Sequence, residues 1–377
     1  MNVVHVYRTY FPDPPGGLQE AIRQIALSTR ACGVEPRIFT LSPMPQPADI
    51  EFPEGRVVRE KSWVAPASCD LGGPAALFRY REMVDWADVV HFHFPWPFAD
   101  VLNLFGRTKK PSVMTYHSDI VRQKALGAVY GPLMRRTLRS MSAVVATSPA
   151  YARTSEPLTA CVAKDRLKII PLGIIDYRDE PFSPGAQRDI GYRLGLDGGE
   201  PYFLTLGVLR YYKGLHTLIE AAPGIDAKIV IAGSGPERGR LAELAAQKKA
   251  TNVVFAGQVT HEEKIALLKG CRAMVLPSHL RSEAFGMVLV EAAMFGKPAV
   301  CCEVGSGTSY VNQDGESGFV VSPERPDELG RAMNTLLHDS ALAARMGQAA
   351  RARYEAVFSG DALGRAYTAL YNEVARG

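Results

Sequence analysis

Two glutamates stand eight positions apart in the stretch Pro277-Ser278-His279-Leu280-Arg281-Ser282-Glu283-Ala284-Phe285-Gly286-Met287-Val288-Leu289-Val290-Glu291-Ala292. Glu283 precedes an apolar run, and Glu291 falls inside it. Ser282 and the small residues after it suit a helix start, and Gly296-Lys297-Pro298 suits its end, so a helix is predicted over Phe285–Phe295. Glu283 then sits in the loop at the helix mouth and Glu291 about two turns inside. A carboxylate in an apolar helix is costly unless it has a partner. The vicinal hydroxyls of a ribose or hexose are suitable partners, because an ionised carboxylate accepts two hydrogen bonds at once. The competing reading is one acid favoured by the helix dipole and one solvated acid.

Other stretches offer matching chemistry. Pro14-Pro15-Gly16-Gly17 follows the first strand and opens a helix. Its glycines allow close backbone approach and positive φ, and the helix start offers N–H groups to an anion; a plain turn is the alternative. Gly207-Val208-Leu209-Arg210-Tyr211-Tyr212-Lys213-Gly214 places two cations at a strand end. They suit a diphosphate, whose departure needs charge neutralisation, or are solvated surface groups. Gly233-Ser234-Gly235-Pro236-Glu237-Arg238 resembles a dinucleotide turn, but its third glycine is Arg238, so the close helix–strand packing of that fingerprint is missing. His117 ends a strand, where parallel α/β folds bind ligands, although a lone histidine can also be structural. His91 and His93 share one face of a strand, and a metal site there lacks a visible third ligand.

Taken in order, the Pro-Ser turn, Glu283, Phe285-Gly286 and Glu291-Ala292 resemble the signature of the retaining glycosyltransferase family 4, which has the GT-B architecture. That resemblance implies two Rossmann-like βα domains facing across a cleft, with a C-terminal helix returning to the first. It implies that Glu283 contacts a donor sugar, with Phe285 and Gly286 beside it, and that Glu291 holds a nucleotide ribose. Gly16 and Gly17 would lie by the donor phosphates, His117 would reach the sugar, and Gly207 and Lys213 would frame the diphosphate turn. Arg210 would replace the family's arginine, whose position is Val208 here. Gly233 and Gly235 would line the nucleotide pocket, and the Asn252–Val259 backbone would meet the base, which leaves GDP and UDP both open. The resemblance further implies metal-independent, retaining transfer of a hexose, with no cofactor beyond the nucleotide diphosphate-sugar and no metal ligands. Gly305-Ser306-Gly307-Thr308-Ser309-Tyr310 with Asn312 resembles a branch that builds bacterial surface polysaccharides, often from GDP-mannose-type donors. The alternatives are an NAD-dependent oxidoreductase on tandem Rossmann domains and a non-catalytic nucleotide-sugar-binding protein.

The elements that must position these residues are legible as alternation. Short β-branched runs at Val3–Tyr7, Arg37–Leu41, Val89–Phe92, Ser112–Tyr116, Ala143–Thr147 and Lys168–Ile170 alternate with helical stretches such as Leu18–Cys32 and Gly127–Ser140. Strands restart at Tyr202–Leu206 and continue through Lys228–Ala232, Asn252–Phe255, Ala273–Leu276 and Ala299–Cys302. This is an α/β pattern of parallel sheets covered by helices. The unpatterned Leu172–Glu200 stretch reads as the linker. The domains are therefore expected at 1–172, joined by 360–377, and at 173–359, the first for the acceptor and the second for the nucleotide-sugar.

The chain has 377 residues, 47% hydrophobic and 22% charged, with a formal net charge of +4. That length suits two domains, and that charge is too weak to imply nucleic acid. Cys32, Cys69, Cys161, Cys271, Cys301 and Cys302 show no metal-type spacing and read as reduced thiols, which favours the cytoplasm. No basic leader precedes the first strand, and no apolar run approaches the ~20 residues of a membrane span. Arg122, Lys124, Arg135, Arg136 and Arg139 form a basic, partly amphipathic stretch. It could meet the anionic inner face of the cytoplasmic membrane, or a polyprenyl-diphosphate-linked or other glycan acceptor, or it could be a solvated helix face.

Overall fold

Among the described residues, runs of β-branched and apolar residues form fifteen strands in two separate sheets. The computed structural model describes residues 1–13, 16–65, 69–106, 109–119, 124–180, 184–196 and 199–377, with backbone alone at 124–129, 184 and 186–187. Contacts divide the chain into Met1–Ile175 with Phe358–Gly377, and Asp176–Val357.

In the first unit, β1 (Asn2–Val6), β2 (Glu35–Ser42), β3 (Asp49–Phe52), β4 (Gly55–Val64), β5 (Leu71–Gly72), β6 (Val89–Phe94), β7 (Ser112–Tyr116), β8 (Ala143–Ala146) and β9 (Leu167–Ile169) make one sheet. Its order is β3-β4-β2-β1-β6-β7-β8-β9, with β5 on β4. The ladder from β4 through β9 is parallel, while β3 and β5 pair antiparallel with β4. Sequence analysis expected no strand between Ser42 and Val89. The reason is composition: β4 carries Arg56, Arg59, Glu60 and Lys61. Arg59 is nonetheless buried, because its Nη2 donates to Asp13, to Ser42 Oγ at 2.8 Å and to the Met44 carbonyl at 2.9 Å. A buried charge is tolerated when it is paired and hydrogen-bonded.

The helix Gly360–Arg376 belongs to this first unit, as the expected returning helix does. A π turn over Tyr354–Phe358 ends the preceding helix Ser340–Arg353, and the Ser359 hydroxyl caps the new one at Ala362 N. Tyr367 and Tyr371 on this helix reach the sheet: Tyr371 Oη bonds His91 Nδ1 at 2.7 Å and Tyr367 Oη bonds Thr115 Oγ1 at 2.8 Å.

In the same unit, the helix Pro97–Gly106 buries Asp100, which accepts a hydrogen bond from Tyr130. Burial raises the Asp100 carboxyl to about 6, against opposing hydrogen bonds from Tyr130 and Thr137. The folded chain therefore holds a proton that the unfolded chain has released once the pH passes about 4. Stability falls as pH rises from about 4 through 6, by on the order of 3 kcal/mol at one pKa unit per 1.36 kcal/mol. Asp100→Asn keeps an acceptor for Tyr130 and carries no charge. It is expected to raise the first unit's unfolding midpoint at pH 7.5 and to flatten its dependence between pH 4 and 6, measured by calorimetry.

The second unit has a six-stranded, all-parallel sheet in the order β12-β11-β10-β13-β14-β15. Its strands are β10 (Tyr202–Leu206), β11 (Lys228–Ala232), β12 (Val253–Gly257), β13 (Ala273–Leu276), β14 (Ala299–Cys302) and β15 (Gly318–Val321). Phe203, Leu218, Ile229, Val275, Val300 and Met333 are among its fully buried core residues. The stretch read as a linker contains the helix Pro184–Leu194, whose Ile190 and Leu194 are buried and which packs against the helix His261–Gly270. Its two glycines and polar exterior hide the period. All six cysteines are free, and among the described residues no helix is long and apolar enough to cross a membrane.

Candidate functional site

The C-terminal ends of β10, β11 and β13 bring the expected residues of the second unit together. Gly207 leaves β10 with φ 126° and leads to a short 3-10 turn, Tyr211–Lys213. Gly214 follows with φ 64°, and a Cβ there would lie 2.0 Å from the Pro277 carbonyl. Only glycine fits, so the turn that carries Lys213 is pressed against the turn that carries Ser278. His279 N donates to the Tyr212 carbonyl at 3.0 Å and ties the two further.

Lys213 Nζ donates to Glu283 Oε2 at 2.7 Å, and Ser278 Oγ donates to the same oxygen at 3.3 Å. The two charged side chains are 10% and 12% exposed. Burial works against the Lys213 cation, but the Glu283 charge and hydrogen bond, with Tyr212 nearby, hold its pKa above the usual lysine value. Lys213 Nζ also lies 3.7 Å from where a Gly207 Cβ would stand, so that glycine leaves room beside the ammonium. Glu283 Oε1 takes no bond among the described residues.

The helix behind Glu283 runs Met287–Met294, with Gly286 as N-cap at φ 85°. It starts later than expected: Ser282 does not cap it, and the glycine's left-handed backbone sets the start. Glu291 is thus just over one turn in, not two. Its partners are also within the protein, because Oε1 accepts from Tyr177 Oη and from Lys264 Nζ, both at 2.7 Å. The helix therefore does not need sugar hydroxyls to hold this acid. Oε2 carries no bond among the described residues, so each glutamate commits one oxygen to a lysine and keeps the other.

Gly233 has φ 135°, and a Cβ there would meet the Gly207 carbonyl at 2.0 Å; one at Gly235 would meet the Leu209 carbonyl at 2.4 Å. These glycines let the β11 turn close onto the β10 turn. Arg238, in place of the third glycine of a dinucleotide fingerprint, lies 3.9 Å over the Phe255 ring. Val259 follows β12 and is half-buried, and Phe285 is buried against Gly307. Ser306 Oγ donates to the Glu283 carbonyl at 2.6 Å, and Asn312 Nδ2 donates to the Ala299 and Phe319 carbonyls at 3.2 and 3.0 Å. The Gly305–Asn312 turn thus buttresses the Glu283 loop and offers these two side chains to the protein. The Arg210 side chain is exposed and makes no hydrogen bond or ion pair among the described residues, and Val208 is 49% exposed. Sequence reasoning missed Tyr177, Lys264, Ser278 and Ser306 as partners. No local pattern marks Tyr177, 114 positions from Glu291.

In the first unit, Gly16 caps the helix Gly17–Arg30 with φ −144° and ψ 170°. The expected positive φ is absent, because an N-cap takes extended backbone. Nothing would stand within 4 Å of a Gly17 Cβ, so close approach remains open there. Pro14 and Pro15 lie outside the described residues. His117 follows β7 and is 7% exposed. The third histidine that the sequence did not reveal is His5, brought beside His91 and His93 by β1. Both nitrogens of His91 and of His93 are engaged in hydrogen bonds. His216, His279 and Glu324 form a second cluster of ligand type, with His216 Nε2 3.9 Å from Glu324 Oε1. Arg135, Arg136 and Arg139 are exposed on the helix Lys124–Ser140; Arg122 and the Lys124 side chain lie outside the described residues.

Comparison with known proteins gives the family and the fold. A family model described as glycosyl transferases group 1 matches residues 187–353, and one described as a glycosyl transferase 4-like domain matches residues 16–173. The chain is 39% identical over 371 residues to O-antigen chain mannosyltransferase C of Escherichia coli, covering 98% of each chain. It is 42% identical over 360 residues to D-rhamnosyltransferase WbpZ of Pseudomonas aeruginosa, covering 95% of this chain and 92% of that one. The solved sucrose-phosphate synthase of Thermosynechococcus elongatus superposes with a TM-score of 0.80 at 23% identity, covering 99% and 98% of the two chains. The oxidoreductase alternative finds no support in these matches. With its two parallel-sheet units of GT-B fold, this chain belongs to the group 1 glycosyl transferases with a glycosyl transferase 4-like domain.

Proposed function

We propose that this chain transfers a manno-configured hexosyl residue from a nucleoside diphosphate donor to a growing bacterial surface polysaccharide, with retention and without a metal. The observation that carries this is the matched pair of glutamates. Glu283 and Glu291 each take a 2.7 Å bond from a lysine on one oxygen and keep the other for a ligand. In this reading Glu291 holds the ribose and Glu283 a hydroxyl of the donor sugar. Lys213, raised in pKa by Glu283 against its burial, stays charged and neutralises the departing diphosphate. The acceptor hydroxyl bonds the anomeric carbon on the face from which the diphosphate departs, and the leaving phosphate takes its proton, so no side chain serves as nucleophile. The manno preference draws on the two relatives, named for mannose and for D-rhamnose, its 6-deoxy form.

The test is a thermal-shift and turnover panel of GDP-mannose, its 6-deoxy analogue, UDP-glucose and NAD, with the product anomer read by NMR. Binding at a hundred times Kd adds about 2.7 kcal/mol of stability. Stabilisation and α-linked product with the GDP-linked sugars are expected. A response to UDP-glucose alone overturns the donor, and an inverted product overturns retention.

The acceptor is proposed to be lipid-linked, with the chain peripheral at an anionic membrane surface. Arg135, Arg136 and Arg139 are exposed without ion pairs among the described residues, and each contributes about 1 kcal/mol near such a surface. Co-sedimentation with liposomes should rise with anionic lipid and fall with salt. Replacing all three by Gln is expected to reduce it while donor binding persists. A parent protein that ignores anionic liposomes at low salt points to a soluble acceptor.

A further inference from the structure

Four histidines of the first unit lie on one face of its sheet. The register sets His5 opposite His91 and His93 opposite Thr115, and alternation carries His117 to the same side. Two hydrogen bonds string three of them into a file. His5 Nδ1 is 3.0 Å from His93 Nε2, and His93 Nδ1 is 3.1 Å from His117 Nε2. His91 stands apart, engaged with Tyr371 and Thr115. Exposure rises along the file, from 0% at His5 through 1% at His93 to 7% at His117.

Burial keeps every ring in the file neutral: it lowers His5 and His117 to about 3 and His93 well below the ordinary value. A neutral imidazole has one N–H and one lone pair. The file must therefore be polarised in one direction throughout, and its closed end decides which. His5 Nε2 is enclosed and has no hydrogen-bond partner. An orphaned buried N–H is rarer in proteins than an under-satisfied acceptor, so the bare lone pair belongs at Nε2 and the proton at His5 Nδ1. His5 then donates to His93 Nε2, and His93 donates from Nδ1 to His117 Nε2. The His117 proton is left on Nδ1, the nitrogen at the open end.

We infer that His5 and His93 are positioning residues that lock His117 as its Nδ1–H tautomer, so that His117 meets its ligand as a hydrogen-bond donor to an oxygen and not as a base. The tautomer follows from the file alone. The ligand contact rests on the proposed reading of His117 as a donor-sugar residue, so the two are tested separately.

Long-range 1H–15N correlation on histidine-labelled full-length protein at pH 7 reads the tautomer without substrate, with His117→Gln identifying the signal. A protonated Nδ1 and bare Nε2 are expected at His117. An Nε2–H pattern, or an imidazolium, overturns the inference. His93→Phe cuts both bonds and is expected to scatter the His117 tautomer and lower kcat about tenfold, with a smaller change in KM. His93→Gln can accept from His5 through its amide oxygen and donate to His117 through its amide nitrogen. It should restore the tautomer and most of the turnover, which a purely structural role would not predict. An unchanged His117 signal in His93→Phe overturns the file. A changed signal with parental turnover leaves the file standing and removes His117 from the reaction. If His93→Phe does not fold, the parent spectrum and His5→Phe give the same decision.

Discussion

Lys213→Ala is expected to lower turnover about 10²–10³-fold, as loss of a group that stabilises developing charge does. The loss should fall on kcat more than on KM, because in the proposed reaction the diphosphate gains further negative charge as it departs. The variant also strands Glu283, whose side chain is 12% exposed, and breaking a buried pair costs up to about 3–5 kcal/mol. Activity must therefore be measured well below the variant's unfolding midpoint. The double variant Lys213→Ala with Glu283→Ala separates the two effects. It should regain stability and stay inactive; parental turnover in the double variant would reduce the pair to a structural strut. Because the folded pKa of Lys213 lies above 10.5, the stability the pair contributes is fully present below that pH and is lost as pH rises through the folded value. No pH dependence from Lys213 is expected between pH 6 and 9. Arg210→Ala is the companion measurement. Arg210 is exposed and unpaired among the described residues, so stability should stay within about 0.5 kcal/mol while turnover falls. Parental turnover would show that nothing replaces the missing arginine at Val208.

Glu291→Gln is expected to weaken binding of the cognate nucleoside diphosphate about 10- to 100-fold, the worth of a charge-assisted hydrogen bond at about 1.5–3 kcal/mol. Glutamine keeps an acceptor for Tyr177 and fits the same space, so the fold should hold. Titration calorimetry measures the affinity. Tyr177→Phe is the control, since it removes the hydroxyl that bonds Oε1 and keeps the carboxylate. Unchanged affinity in Glu291→Gln would mean that the acid merely joins Tyr177 to Lys264 across the unit.

The block from Pro277 to Ala292 was legible because its residues act on neighbours within a few positions. A glycine, two acids and an apolar run suffice to mark a loop and a helix mouth. The exact start was less legible. Ser282 has cap chemistry, yet Gly286 with φ 85° takes the cap, because the loop before it is committed to holding Glu283 against Ser306. Strand β4 was hidden by its charges, and distant partners, Asp13, Ser42 and the Met44 carbonyl among them, make a buried Arg59 tolerable. The Gly16-Gly17 signal pointed to the right helix start and to the wrong backbone.

By itself the sequence determined the alternation of strands and helices, the two α/β units and the local motifs at the strand ends, since these depend on period, turn chemistry and short spacings. Tertiary structure alone decided what each charged or polar atom touches. The Lys213–Glu283 pair spans 70 positions and the Tyr177–Glu291 bond 114, and His5 joins His93 across 88. Such bonds depend on sheet order and register, which place strands β1 and β6 side by side. No local spacing carries that information.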